Sequence, residues 1–232
     1  MRFIRAAVFN CLMGGSGLVL SLYGLLLRRV APEYLSVAAR VWGRFCLWAL
    51  RVTCNVRVRV EGVSALPPGP VVIAAQHQSA MDILIWLTIL PSPAFVLKRE
   101  LCKIPLFGAL LVPAGNIAVD RDGGAAALRG MVVASRLALA AGRQVVIFPE
   151  GTRVAPGARG ALHGGIVALA RIAGVPVIPA ATDTGLRWGA RRFLKTPGVA
   201  NVRLYPPLAP GQARDDILGV LTRCFYETDY EK

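Results

Sequence analysis

The sequence predicts an α/β fold: a mixed, mostly parallel sheet flanked by helices, with an N-terminal membrane-associated two-helix segment. From residue 55 onward, short apolar runs alternate with stretches of helical length, which is the pattern of parallel strand–helix–strand units. Before residue 55, the chain carries one long uncharged run and one amphipathic stretch instead. We therefore predict two units, a membrane-associated segment over residues 1–54 and an α/β domain over residues 55–232.

The composition indicates contact with an anionic surface or substrate. Hydrophobic residues make up 55% of the chain and the formal net charge is +14. Nucleic acid, an anionic membrane and a phosphate-bearing substrate all fit such a charge. Because the positive charges are interleaved with long apolar runs and no nucleic-acid-binding motif is present, we expect membrane lipids and a phosphate-bearing substrate as partners, and no nucleic acid.

The first thirty residues have the composition of a membrane segment. Residues 6–27 carry no charge and are flanked by Arg2 and Arg5 on one side and by Arg28 and Arg29 on the other. About 20 apolar residues are enough to cross the hydrocarbon core, although glycines inside the run also permit a hairpin that dips into one leaflet. A signal peptide begins in the same way, but no small-residue cleavage site follows.

The next stretch, residues 36–52, has helical spacing. Arg40, Arg44 and Arg51 fall on one stripe, and apolar residues including Trp42 and Phe45 gather on the opposite side. This arrangement favours a helix in the lipid headgroup region; the alternative is a surface helix that packs on the core.

The remaining elements follow from hydrophobic periodicity and from Gly and Pro punctuation. Residues 55–62 alternate with period two and predict a strand with one solvated face. Short apolar runs predict further strands at 71–75, 91–101, 116–119, 144–148, 175–180 and 201–205. Longer apolar or Ala-rich stretches predict helices from the His77 segment to Leu90, at 104–112, at about 124–141, at 164–173 and from about Gln212 to Thr228.

Five polar side chains follow directly after four of these strands: His77, Lys98, Arg121, Glu150 and Arg153. In open α/β sheets, ligands bind outside the carboxyl ends of the strands. We therefore expect these side chains to assemble into one site.

His77 and Asp82 are the candidates for acid–base chemistry. A neutral imidazole can take the proton of an alcohol when a carboxylate fixes its tautomer. The spacing Ser79-x-x-Asp82 also matches a helix capping box. On a continuous helix, five residues would separate the two side chains by roughly 140°, so both interpretations require His77 in the turn before the helix and Asp82 in its first turn.

No serine here has the G-x-S-x-G spacing of a serine hydrolase, although Cys102 is not excluded as a nucleophile. The simpler option is that the substrate supplies a hydroxyl, which points to a transferase without a covalent intermediate. With 2 histidines and 5 scattered cysteines, we expect no metal site and reduced thiols in a cytosol-facing protein.

Four segments, HQSAMD, GNIAVDR, FPEGTR and VPVIP, resemble in the same order the motifs of the glycerolipid acyltransferase superfamily. The segments KREL, IPLFG and GLRW…RRFLKTPG are similar to those of its bacterial 1-acylglycerol-3-phosphate acyltransferases. The resemblance covers about residues 55–212. It implies a membrane-associated enzyme, at the bacterial inner membrane with its catalytic domain on the cytoplasmic side.

The resemblance also implies a reaction. His77, oriented by Asp82, would deprotonate the 2-hydroxyl of a lysophosphatidic acid, and that oxygen would attack the thioester of acyl-CoA or acyl carrier protein to form phosphatidic acid. The thioester is a co-substrate, and no cofactor is expected. The residues expected to bind substrate are Lys98, Arg121, Glu150, Gly151, Thr152, Arg153, Pro176 and Pro179.

Within this set, Arg121 and Arg153 would hold the phosphate, Glu150 and Gly151 would shape the pocket, and Val175–Pro179 would line the acyl or thioester side. Similar bacterial sequences carry a lysine where this chain has His163, which leaves open another lysolipid acceptor, such as a lyso-ornithine lipid. A non-catalytic membrane-binding relative is the further alternative.

Overall fold

Residues 1–172, 174–209 and 212–227 are described by the computed structural model. Seven strands in this part of the chain form one sheet in the order β1-β7-β6-β2-β5-β3-β4. Their bounds are β1 Val56–Glu61, β2 Val71–Ala75, β3 Pro93–Lys98, β4 Ile117–Val119, β5 Gln144–Ile147, β6 Val177–Thr182 and β7 Gly198–Leu204. The helices are α1 Arg2–Val30, α2 Leu35–Cys54, α3 Met81–Ile89, α4 Gly108–Leu111, α5 Gly124–Ala140, α6 Gly165–Ile172, α7 Thr184–Arg187 and α8 Arg214–Tyr226.

The sheet is parallel except where β6 meets β7, so the prediction of a mixed, mostly parallel sheet is confirmed. In β2, which is buried throughout, successive side chains point to opposite faces of the sheet. Ile73 packs with α2 and α3 on one face, whereas Val72 and Ala74 pack with α5, α6 and α8 on the other. A strand that is covered on both faces reads as a continuous apolar run.

The two N-terminal helices pack against the sheet and against each other. Phe9 of α1 and Leu50 of α2 are fully buried in the same core as Ile73. The outer flank of α1 stays exposed, and α1 is long and apolar enough to cross a membrane by length and composition. The two helices thus share one hydrophobic core with the sheet. The predicted division into a membrane-associated segment over residues 1–54 and an α/β domain over residues 55–232 stays a prediction.

Helix α2 packs on the core, as one of the two interpretations predicts, and its position in the headgroup region stays a prediction. Gly43, Cys46 and Ala49 are buried, and a Cβ at Gly43 would lie 3.3 Å from the side chain of Leu87 on α3. Trp48 nevertheless remains 56% exposed on the outer surface. Therefore α2 packs on the core with one side and presents an aromatic side chain with another.

Several boundaries differ from those predicted. The helix predicted over 104–112 shrinks to α4, because Leu106 adopts a left-handed φ of 63°, which does not continue a right-handed helix. The strand predicted over 91–101 ends at Lys98, where a short 3-10 helix over Arg99–Lys103 begins. Two predicted helix ends, at residue 173 and at Thr228, lie outside the described residues.

Candidate active site

The predicted site residues follow four strands that are neighbours in the sheet. In the order β2-β5-β3-β4 all four are parallel, so their carboxyl ends lie at one edge. Six of the predicted residues line a single cavity at this edge: His77, Lys98, Arg121, Gly151, Thr152 and Arg153.

His77 and Asp82 form a direct pair. Nδ1 of His77 lies 2.9 Å from Oδ2 of Asp82, whose side chain is only 2% exposed. His77 follows β2 in the turn before α3, and Asp82 lies in the first turn of α3. This is the placement that the five-residue spacing requires. Because the carboxylate accepts the Nδ1 proton, the Nε2 lone pair is left for a substrate.

The Asp82 carboxylate is held by the backbone of the same turn. Its Oδ2 accepts hydrogen bonds from the backbone N–H groups of Gln78 and Ser79, each at 2.8 Å. The Ser79 hydroxyl in turn accepts from the N–H of Met81 at 3.0 Å. The Asp82–Ser79 contact is one half of a capping box, whereas the Ser79 hydroxyl bonds the N–H of Met81 and not that of Asp82. One carboxylate therefore caps the helix and contacts the imidazole.

A fourth partner of this carboxylate comes from another part of the chain. Thr184, fully buried at the start of α7, donates its hydroxyl hydrogen bond to Oδ1 of Asp82. The His77 ring also stacks on Phe148, with ring centroids 4.2 Å apart and an interplanar angle of 24°. The imidazole is thus fixed by a carboxylate at one edge and an aromatic ring on one face.

Glu150 lies beneath the site instead of lining the cavity, which corrects the expectation that it contacts substrate. Its side chain is 3% exposed, and its Oε2 accepts a 2.6 Å hydrogen bond from the backbone N–H of His77. Its Oε1 accepts a 2.7 Å hydrogen bond from the hydroxyl of Tyr226 on α8. Burial raises the pKa of Glu150 to about 7, against the opposing effect of these two hydrogen bonds. Glu150 therefore positions the backbone of His77.

Two arginines reach the cavity from neighbouring loops. Arg121 donates to the backbone carbonyl of Gly151, whereas the exposed Arg153 guanidinium makes no hydrogen bond or ion pair to any described residue. Gly151 has a left-handed φ of 66°. A Cβ there would meet the His163 ring at 3.0 Å, so the imidazole of His163 lies against this turn, close to Arg121.

The cavity has a volume of about 450 Å³ and is mostly apolar beyond its polar end. Its walls come from α1, α2, β3 and α4, with Leu20, Trp42 and Leu110 among the lining residues. The helices approach closely, since a Cβ at Gly24 would lie 2.6 Å from the Leu110 side chain. The arrangement suits a ligand with a polar head near the arginines and a hydrocarbon chain behind it.

Lys98 and the two predicted prolines differ in their position relative to the cavity. Lys98 lines the cavity and also pairs with Glu100 at 3.1 Å, both side chains being 45% exposed. Pro176 and Pro179 do not line the cavity: Pro176 precedes β6 at the amino edge of the sheet, opposite His77, and Pro179 is buried within β6. Because β6 runs parallel to β2, Pro176 lies at the edge away from the cavity, whereas Pro179 pairs with Ala74 near the carboxyl end of β2. The assignment of Pro179 to the acyl or thioester side stays a prediction.

The alternative nucleophile is also outside the cavity. Cys102 lies in the 3-10 helix after β3 and is not among the cavity-lining residues, and the five cysteines are all free. Among the described residues, no group of three or more His, Cys, Asp or Glu side chains could hold a metal ion. The expectation that no metal or cofactor takes part stays a prediction.

The sequence offered little sign of Thr184 and Tyr226. Thr184 contacts a carboxylate 102 residues away, and Tyr226 contacts one 76 residues away. Neither residue belongs to one of the four motifs. Phe148, by contrast, belongs to FPEGTR, and an aromatic residue beside the strand end was visible in the sequence without an assigned role.

The fold and the site define an α/β enzyme in which a His–Asp pair lies at the polar end of an apolar cavity. A family model described as acyltransferase matches residues 57–183. Because this match spans more than half of the chain, the chain belongs to the acyltransferase family, as its four motifs predicted.

The chain is 34% identical over 208 residues to a 1-acyl-sn-glycerol-3-phosphate acyltransferase of Pseudomonas aeruginosa, a match that spans 88% of this chain and 80% of that protein. It is 31% identical over 188 residues to the human 1-acyl-sn-glycerol-3-phosphate acyltransferase alpha, spanning 78% of this chain and 65% of that one. The fold is similar to the crystal structure of the 1-acyl-sn-glycerophosphate (LPA) acyltransferase PlsC from Thermotoga maritima, with a TM-score of 0.73 and 24% identity over the whole of both chains.

Proposed function

We propose that this acyltransferase transfers an acyl group from acyl-CoA or acyl carrier protein to the 2-hydroxyl of 1-acyl-glycerol-3-phosphate, forming phosphatidic acid for phospholipid biosynthesis. The observation that carries the proposal is the His77–Asp82 pair, with 2.9 Å between Nδ1 and Oδ2, at the polar end of a cavity that also holds Arg121 and Arg153. The names of the relatives in Pseudomonas aeruginosa and humans support the same acceptor.

The proton of the acceptor's 2-hydroxyl moves first to Nε2 of His77. The hydroxyl oxygen of the acceptor then attacks the thioester carbonyl, the carbon–sulfur bond breaks, and the thiolate leaves with the proton from the imidazolium. Asp82 favours the imidazolium, because an opposite charge in contact stabilises the charged form. No group on the protein is acylated in this scheme, which agrees with the position of Cys102 away from the cavity.

The headgroup binds between Arg121 and Arg153. A guanidinium offers paired donors that match phosphate geometry. Arg121 is already bonded to the Gly151 carbonyl, whereas Arg153 has no described protein partner, so Arg153 is the freer of the two to bind phosphate. The thioester and its hydrocarbon chain extend along the apolar walls of the cavity.

The protein acts at a membrane, with α1 along the surface. Near its N-terminus, the Phe3 ring lies 5.0 Å from the Phe193 ring of the α/β domain. Near its C-terminus, Arg28 donates to the carbonyl of Ala109 at 3.1 Å. A helix of 29 residues is about 43 Å long, and one that touches the same domain at both ends fits an in-plane position better than a span. We place it at the bacterial inner membrane, with the α/β domain on the cytoplasmic side.

A panel of lysolipids tests the acceptor. The purified protein would be assayed in mixed micelles with labelled acyl-CoA or labelled acyl carrier protein. We expect lysophosphatidic acid to give the highest kcat/KM, and lysolipids without a phosphomonoester, including lyso-ornithine lipid, to react far more slowly. A higher kcat/KM with a phosphate-free acceptor would overturn the substrate assignment, and transfer to none of them would favour a non-catalytic relative.

A further inference from the structure

A loop of the α/β domain, residues 189–194, exposes bulky apolar and cationic side chains together. Phe193 is 44% exposed and Leu194 is 49% exposed. The two residues before them, Arg191 and Arg192, are exposed as well. Adjacent exposed apolar side chains of this size mark surfaces that bind something, yet the loop contributes nothing to the cavity.

Two buried side chains, Lys195 and Trp188, stabilise the conformation of this loop. Lys195 is 4% exposed, and its ammonium donates to the carbonyl of Phe193 at 2.8 Å and to Oδ1 of Asn10 on α1. The same ammonium lies 4.7 Å from the centre of the Trp188 ring, and the indole N–H of Trp188 donates to the carbonyl of Arg192 at 3.2 Å. The side chains of Phe193 and Leu194 are therefore presented outward by a fixed backbone.

The exposed loop continues into the first turn of α1. The Phe193 ring lies 5.0 Å from the ring of Phe3, and both Phe3 and Ile4 are 66% exposed. Arg2 and Arg5 flank these two residues in the sequence. We call the combined surface, residues 2–5 and 191–194, the arginine–aromatic surface.

The arginine–aromatic surface is cationic without local compensation. Neither residues 1–32 nor residues 184–213 contain an Asp or a Glu. Four arginines therefore surround four exposed apolar side chains. Anionic headgroups attract such arginines, and the bulky apolar groups can enter the boundary between headgroups and acyl chains.

We propose that the arginine–aromatic surface binds an anionic lipid bilayer, so that the α/β domain itself contacts the membrane through residues 191–194. The surface is continuous with the exposed apolar flank of α1, and its charge is complementary to anionic lipid. An acidic protein partner is the competing occupant, and the experiments below separate it from a bilayer.

Fluorescence quenching by brominated lipids measures the contact directly in the full-length protein. Phe193→Trp adds one indole to a constant background of 4 native tryptophans. The matched control is Leu137→Trp on α5, where Leu137 is 69% exposed on the opposite side of the sheet from α1 and α2. In phosphatidylglycerol vesicles with brominated chains, we expect the added emission of Phe193→Trp to be quenched and that of Leu137→Trp to persist.

Equal persistence of both added emissions would overturn the proposal and leave an acidic protein as the occupant. If Phe193→Trp lowers Tm, Leu194→Trp gives the same measurement from the adjacent side chain. Quenching requires no turnover, so the result stands whether or not the acyl acceptor is correctly assigned.

Charge reversal provides a second measurement. The double variant Arg191→Glu/Arg192→Glu should lower the affinity for phosphatidylglycerol vesicles by roughly 10–30-fold at low salt, with little change on phosphatidylcholine vesicles. Arg129→Glu/Arg136→Glu makes the same charge change on exposed residues of α5. An equal loss of affinity in both double variants would show that net charge alone matters, which contradicts a specific contact by the loop.

Discussion

Thr184 and Asp82 are 102 residues apart in the sequence and form a hydrogen bond in the buried interior of the site, with the Thr184 hydroxyl as donor. The other oxygen of the carboxylate contacts Nδ1 of His77 at 2.9 Å. Thr184 thus positions the Asp82 carboxylate, which in turn positions the His77 imidazole. Helix α7 is only four residues long, and its first residue, Thr184, lies against the segment that connects β2 to α3.

Thr184→Val tests this positioning role. It removes the hydroxyl and leaves Asp82 with its two backbone donors, so we expect kcat to fall by about 2–12-fold, the equivalent of one ordinary hydrogen bond, while the acceptor KM stays near the wild-type value. Thr184→Ser should restore kcat because it keeps the donor. A Thr184→Val protein with normal kcat, or a Thr184→Ser protein as slow as Thr184→Val, would contradict the role.

Asp82→Asn separates charge from capping. An amide can keep hydrogen bonds to Gln78 and Ser79 but has no charge to stabilise the imidazolium, so kcat should fall steeply, although by less than on removal of His77. Ser79→Ala is the matched control, since it removes the cap on Met81 and leaves the His77–Asp82 contact. It should lower stability by about 0.5–2 kcal/mol with kcat preserved. If thermal unfolding and kinetics show the same loss of Tm and of kcat in both variants, Asp82 is a cap and nothing more.

Glu150→Gln should change the pH dependence of stability. Burial raises the pKa of Glu150 from 4.5 to about 7, so the folded protein binds more protons than the unfolded chain between these values. The stability of the wild type therefore falls as pH rises through this window. The variant does not titrate here, and its amide can accept from the N–H of His77 and donate to the Tyr226 oxygen.

We expect the Tm of Glu150→Gln minus that of the wild type to rise by several degrees from pH 5 to pH 8. Each pKa unit corresponds to about 1.4 kcal/mol, and each kcal/mol to about 2–4 °C for a chain of this length. Scanning calorimetry at several pH values measures the difference. A Tm difference that is constant with pH would mean that Glu150 ionises in the folded protein as it does in the unfolded chain.

Arg153→Lys tests the phosphate contact. A lysine cannot reproduce a bidentate guanidinium–phosphate contact, so the acceptor KM should rise while slow hydrolysis of the acyl thioester by water stays unchanged. A loss of about 1.5–3 kcal/mol per charged hydrogen bond corresponds to roughly 10–150-fold in kcat/KM. Arg159→Lys is the control, since Arg159 is 64% exposed, pairs with Glu227 at 3.7 Å and does not line the cavity. Unchanged kinetics with lysophosphatidic acid in Arg153→Lys would place the headgroup elsewhere, and His163 against Gly151 would be the first residue to test.

The sequence predicted the parts of the site that depend on local rules. His77 and Asp82 belong to one turn, and the capping-box spacing fixes where that turn and α3 meet. Lys98, Arg121 and Arg153 follow strand ends, and parallel strands bring such residues to a common edge. The order of the strands was not needed for this inference.

What the sequence did not predict depends on long-range packing or on a single backbone angle. Glu150 was expected to face substrate, but the burial that turns it toward Tyr226 is produced by α8, far along the chain. Pro176 was expected at the site because of its motif, and the direction of β6 places it at the amino edge of the sheet, opposite His77. The helix predicted over 104–112 was shortened by the left-handed conformation of Leu106, a residue type that rarely adopts it.

The packing of α2 on the core makes truncation a poor test of the membrane segment. Cys46, Ala49 and Leu50 of α2 are fully buried, so removal of residues 1–50 would uncover the core beneath them at the same time as it removed the apolar flank of α1. Point substitutions at exposed positions of the full-length chain change the surface and leave the core covered.

The central claim is that His77 acts as the general base for acyl transfer. Its most direct test is the rate of phosphatidic acid formation by purified His77→Ala, with lysophosphatidic acid and acyl-CoA both saturating and with an unchanged circular dichroism spectrum and Tm as evidence of folding. We predict that kcat falls by about 10²–10⁴-fold, more than for Asp82→Asn. A well-folded His77→Ala protein that forms phosphatidic acid at near the wild-type rate would contradict the account.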